Sequence, residues 1–144
     1  MGELSPGDEM NAIPINYWAV LVAAALRMAV GFVWYSPPVL LKPWQALTGI
    51  TPETMRAGLT RAMVVDVIAS LIMAFALANI IGASGITDWL NGALAGFWVW
   101  LGFIATVLVS LWGYENRSLK LIGINLGNNL IALLLMGALL ASWR

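Results

Sequence analysis

Two residues of this sequence, Arg27 and Asp66, can carry charge inside stretches that are otherwise apolar. A charge at the centre of a bilayer costs roughly 2.5–3.5 kcal/mol on insertion scales, so such groups face the protein interior and pair. Counting about 1.5 Å per helical residue, Arg27 stands about 12 Å from the inner end of its stretch. Asp66 lies about 7 Å past Arg61, by the same count. An arginine stem can extend far enough to close that difference. The sequence therefore predicts an Arg27–Asp66 ion pair between two helices. Its chemistry is either that of a clamp or that of a site for an ion or polar solute. A proton-coupled cycle would rest on Asp66 alone, because no second carboxylate lies within the apolar stretches.

A second set of polar groups is amide. Asn125, Asn128 and Asn129 fall on one side of a helix by their three- and four-residue spacing. Such a stripe can line a polar path, or it can join helices for about 0.6 kcal/mol per hydrogen bond. Asn79 and Asn91 are expected near the outer surface. The chain has no cysteine and no histidine. Thiolate metal sites, the usual haem ligand and the usual near-neutral proton shuttle are thereby removed. No glycine-rich phosphate loop, no nucleophile with a histidine base and no acidic metal cluster is present. Catalysis, a cofactor, a bound metal and a nucleic-acid partner are not expected.

The elements that position these residues are long and apolar. Of 144 residues, 61% are hydrophobic and 10% charged, which is far from the composition of a water-soluble domain. Four stretches, 15–35, 62–82, 89–112 and 119–143, each approach the ~20 residues that a helix needs to cross a bilayer. Continuous apolar runs argue for helices rather than barrel strands. The fold class is all-α: a four-transmembrane-helix antiparallel bundle forming one membrane domain over 15–144, after a polar tail over 1–14. That tail carries Glu3, Asp8 and Glu9 and no basic residue, the opposite of a cleavable leader, so the first span is expected to act as an uncleaved signal.

Charge sets an orientation. Lys42, Arg56 and Arg61 follow span one, and Arg117 and Lys120 join spans three and four, against Arg144 alone on the opposite side. The positive-inside rule places both basic loops in the cytoplasm and both termini outside. Aromatic residues mark the same boundaries: Tyr17 and Trp18, Trp34 and Tyr35, Trp89, Trp112 with Tyr114, and Trp143. Trp98 and Trp100 lie deeper and are expected to pack against another helix.

Breakers divide the chain. Ser36-Pro37-Pro38 stops span one. Residues 39–47 carry Leu40, Leu41, Trp44 and Leu47 on roughly one face and read as a short interfacial helix, closed by Thr48-Gly49. Thr51 then caps a new helix with Pro52 at its first position, and span two is the far end of that helix. Small residues recur at helix-contact spacing: Gly92 and Gly96, Gly123 and Gly127, Ala25 and Ala29.

The junction Gly31-Phe32-Val33-Trp34-Tyr35-Ser36-Pro37, with Lys42-Pro43-Trp44 and Leu47-Thr48-Gly49, resembles the bacterial membrane-protein family catalogued as domain of unknown function 1761. Trp100-Leu101-Gly102-Phe103, Ile124-Asn125 and Leu133-Leu134-Leu135-Met136-Gly137 extend the resemblance over nearly the whole chain. It implies a small four-helix membrane protein and transfers no catalytic residue. Relatives often carry Tyr-His where this chain has Asn128-Asn129. The expected role is structural or interactive, as a subunit of a homo-oligomer or a larger complex in the bacterial inner membrane, with lipid and other membrane subunits as partners. The alternative is a small-solute or ion transporter with a path near Arg27, Asp66 and the span-four asparagines.

Overall fold

The computed structural model describes residues 13–144. Glu3, Asp8 and Glu9 of the predicted tail lie outside the described residues. Every regular element among those residues is helical. Helix α1 runs Tyr17–Trp34, α2 Leu41–Thr48 and α3 Pro52–Ala83. Helix α4 runs Trp89–Glu115 and α5 Leu119–Ser142. All but α2 are long and apolar enough to cross a membrane.

Local chemistry sets the boundaries. The Asn16 side chain accepts from the Trp18 and Ala19 amides, so α1 starts two residues later than its apolar run. Gly49 closes α2 with φ +72°, a left-handed conformation that glycine takes without strain. Thr51 caps α3 and exchanges hydrogen bonds with Thr54, with Pro52 at the first helical position. Helix α3 is 32 residues long, about 48 Å by helical rise, which exceeds a ~30 Å hydrocarbon core by about a third of the helix.

Helix α4 departs from expectation in two ways. It runs one turn past Trp112, ending where Asn116 adopts a left-handed φ of 52°. It also widens into a π-helical turn over Trp100–Ala105. Single-turn widenings of this kind change the angular position of everything beyond them. The Thr106 hydroxyl donates to the Gly102 carbonyl within it.

Helix α5 is the hub. It packs against α1, α3 and, most extensively, α4, whereas α3 and α4 barely touch each other. The α4–α5 approach is backbone on backbone. A Cβ on Gly92 would collide with the Gly137 carbonyl, and one on Gly96 with the Leu133 carbonyl. Gly127 lies under the Trp34 indole. Small residues are what allow helices in lipid to come this close.

Three packing expectations are corrected. Gly123 faces open space, and its partner role belongs to Gly137. Ala25 and Ala29 are exposed, while Ala19, Val20, Ala23 and Ala24 form the buried face of α1. That face, only one residue removed in register, meets Ala74, Leu77 and Ile81 of α3 and Leu133, Met136 and Leu140 of α5 in the core. Finally, Trp100 packs inward but Trp98 does not. Two residues apart on a helix they point to different sides.

These contacts give an asymmetric expectation for glycine replacements. Gly96→Leu should lower stability in detergent by about 1–3 kcal/mol or more through overpacking. Gly123→Ala should leave it unchanged or raise it by up to ~1 kcal/mol through helix propensity. Thermal unfolding of the two variants beside the parent checks both.

Candidate functional site

The site is built from the polar groups that the helices carry between apolar walls. On α1, Arg27 and Trp34 are seven residues apart, two turns along nearly one face. The Arg27 guanidinium meets α3. Its Nη1 donates to Asp66 Oδ1 at 2.7 Å and to the Ser70 hydroxyl at 2.6 Å. Asp66 and Ser70 are four residues apart, so one turn of α3 supplies both acceptors to a single nitrogen. Ser70 is fully buried. The Arg27 side chain is 16% exposed and that of Asp66 is 46% exposed. The pair thus sits at the edge of the helix packing rather than at its centre.

Trp34 and Tyr35 meet α5. The Trp34 indole N–H donates to the Ile124 carbonyl at 2.9 Å, and the Tyr35 hydroxyl donates to Asn125 Oδ1 at 2.8 Å. Trp44 of α2 packs edge-on against Tyr35, with ring centroids 5.6 Å apart. The Ser36 hydroxyl donates back to the Val33 carbonyl at 2.6 Å, and the Ser36 carbonyl accepts from the Val39 and Leu41 amides. The turn before α2 is closed by these bonds, and Pro37 lies exposed within it. From the other side, the Trp100 indole donates to the Leu126 carbonyl at 3.0 Å. Two tryptophans from two helices therefore grip α5 within one turn.

The predicted residues thus separate into groups. Arg27 and Asp66 come together, as do Trp34, Tyr35 and Trp44 with the start of α5. The asparagine stripe does not act as one surface. Asn125 alone reaches another helix; Asn129 donates to the Asn125 carbonyl of its own helix. Asn128 Oδ1 is buried without a hydrogen-bond partner. Asn79 likewise donates back to its own helix, at the Phe75 carbonyl. Ser70 is a participant that sequence reasoning missed, whereas Trp100 was expected to pack against another helix, though not to donate a hydrogen bond to it. The signal for Ser70 was its four-residue spacing from Asp66; nothing in the sequence distinguished Trp100 from Trp98.

No group of three or more acidic, histidine or cysteine side chains that could hold a metal occurs among the described residues. Beyond Ser70 the core is built of Ala19, Val20, Ala23, Ala74, Leu77 and Ile81, with Leu133, Met136 and Leu140 of α5. Polar groups are concentrated between the C-terminal half of α1, the middle of α3 and the first half of α5, and do not continue through this apolar section. Outside the spans, Asp88 caps α4. Hydrogen bonds from the Asn91 amide and then from the Asn91 side chain hold its carboxyl below the usual carboxylate range. A lowered folded-state value means that this cap contributes fully above the ordinary carboxylate range. Its contribution is lost as pH falls through the lowered value.

Several measurable consequences follow from the geometry. Arg27→Met or Asp66→Leu alone should cost about 1–3 kcal/mol, because each strands the partner at membrane depth. The two together should cost less than either one, since apolar residues replace a pair. A double-mutant cycle by unfolding in detergent reads this directly. Tyr35→Phe should cost about 1 kcal/mol. Asn128→Leu should stabilise, by roughly the 1–3 kcal/mol that a buried unpaired acceptor costs, in the same assay.

Among known proteins, neither the curated sequences nor the solved structures contain a match. One family pattern does match, described as a protein of unknown function, DUF1761, and it covers residues 18–141. It takes in all four long helices, the Trp34–Tyr35 junction and the α5 hub that receives it. The chain belongs to the DUF1761 family.

Proposed function

We propose that the protein is a structural or interaction subunit of a membrane assembly, with no catalytic step of its own. The observation that carries this reading is the fate of the membrane-depth polar groups. Arg27, Asp66, Ser70, Tyr35, Asn125, Trp34 and Trp100 are engaged in joining one helix to another. An apolar section of Ala74, Leu77, Ile81 and Met136 then separates them from the far end of the bundle. A solute path would need polar partners through that section. The transport alternative draws on the half-exposed Asp66 and the unpaired Asn128 oxygen, but it lacks a continuation.

The interaction part of the reading draws on α3. Met63, Val64, Val65, Val67 and Ile68 are all exposed. At 100° per residue they cover more than half of the helix circumference. Only Asp66, Ala69 and Ser70 in this stretch turn away from that exposed arc. A second copy or another membrane subunit can pack there.

In this reading the four long helices form an antiparallel bundle in the bacterial cytoplasmic membrane. The α4–α5 contacts support that arrangement, because Gly92 pairs with Gly137 and Gly96 with Leu133, rising on one helix as they fall on the other. Short connections at Ser84–Thr87 and Asn116–Ser118 support it too. Helix α2, with Lys42 exposed and Trp44 turned to Tyr35, lies along the interface. Both termini face outward and Arg56, Arg61, Arg117 and Lys120 face the cytoplasm.

Because the chain has no cysteine, single cysteines test the orientation cleanly. Ser84→Cys should react with an impermeant maleimide applied to intact cells, and Glu115→Cys only after lysis. Reversed labelling would refute the orientation. For the role, light scattering in mild detergent should give a protein mass above the 15.5 kDa of one chain, or copurification should reveal a fixed membrane partner. Solute or ion flux through vesicles holding the protein, abolished by the Arg27→Met/Asp66→Leu pair, would overturn the structural reading in favour of transport.

A further inference from the structure

Because α3 and α4 each pack on α5 and barely on one another, a groove of about 670 Å³ opens between them. Its two ends differ in chemistry. At the α3–α4 turn it is lined by Thr87, Asp88 and Asn91, and further along by Leu94, Trp98 and Phe103. Trp98 is 65% exposed and Phe103 70% exposed. From Asp88 to Phe103 the wall runs about 22 Å at helical rise. The acyl chains of one leaflet occupy about 15 Å, half of a ~30 Å core. A polar mouth above a long apolar trough has the shape of a lipid, headgroup at the turn and chain along Leu94 and Trp98.

The headgroup is specified by charge. Asp88 is the one charged side chain among those lining the groove. Its Oδ1 accepts from the Asn91 amide and its Oδ2 from the Asn91 side chain. A carboxylate oxygen accepts two hydrogen bonds, so each keeps one lone pair for a donor from outside. A primary ammonium brings both the opposite charge and the N–H groups. A quaternary ammonium brings the charge without the donors, and an anionic headgroup is repelled.

We propose that the α3–α4 groove is a phospholipid site selective for a primary-ammonium headgroup, that of phosphatidylethanolamine, with Asp88 as the selecting residue. This site is separate from the Arg27–Asp66 clamp and does not depend on the partner reading given above. It assigns the exposed Trp98 to contact with a lipid chain rather than with a second helix.

Native mass spectrometry of the full chain in detergent tests the site, with phosphatidylethanolamine, phosphatidylcholine and phosphatidylglycerol of matched chains titrated separately. The parent should retain one ethanolamine lipid per chain, with about threefold to fivefold preference over the other two, as expected of a solvent-exposed charge contact. Asp88→Asn keeps an equivalent helix cap, so its fold should be intact by circular dichroism. It should bind the ethanolamine and choline lipids alike. Ala95→Phe, which fills the trough beside Trp98, should release all three lipids alike while its helix content by circular dichroism stays that of the parent. Equal retention of phosphatidylglycerol by the parent, or an unaltered preference in Asp88→Asn, would overturn the headgroup assignment. Undiminished lipid retention in Ala95→Phe would overturn the groove. A lipid-free dimer whose formation Ala95→Phe abolishes would give the groove to a second copy instead.

Discussion

One turn of α5, residues 124–127, organises the molecule. In lipid a buried N–H or O–H has no water to fall back on, so it must find an acceptor within the protein. Three donors from two other helices find theirs here: Trp34 at the Ile124 carbonyl, Tyr35 at Asn125 and Trp100 at the Leu126 carbonyl. Gly127 leaves room for the Trp34 ring, whose six-membered part lies where a Cβ would stand. With α1 and α4 fixed to the same turn, the remaining freedom of each is small. Helix α3 then joins through Arg27 and through the apolar core.

The two ends of the bundle are held by different forces. Around Gly92, Gly96 and Gly137 the α4 and α5 backbones touch, and dispersion between closely fitted surfaces is the attraction. Around Arg27 and Tyr35 the attraction is electrostatic and directional. Between them in α4 sits the π-helical turn at Trp100–Ala105. Trp100, at its start, reaches α5, and Phe103, within it, faces outward. The groove beside α3 is a consequence, because α4 is committed to α5 and has little surface left for α3.

Much of this was legible from residue types. The apolar runs, the stop at Ser36-Pro37, the Thr51–Pro52 start and the Arg27–Asp66 pairing follow from local rules, since lipid permits few alternatives for backbone or charge. The glycine spacing was half informative. Gly92 and Gly96 face α5, but Gly123 does not, because spacing gives a periodicity and not the azimuth at which a neighbour stands. The same ambiguity moved the contact face of α1 from Ala25 and Ala29 to Ala23 and Ala24. The asparagine stripe shared a side of α5 as its spacing required, yet its members found three different fates.

Four apolar helices, the breaks at Ser36-Pro37 and Thr51-Pro52, and the need for the charged residues to pair were all readable from residue types, because each depends on a residue and its near neighbours in a medium without water. That α5 is the hub, that Trp100 rather than Trp98 turns inward, and that α3 and α4 part to leave a groove emerged from the packing of the helices. Those outcomes depend on which helix faces which, and on a change of helical pitch within α4. Both are set by the fit of whole surfaces, which no short stretch of sequence contains.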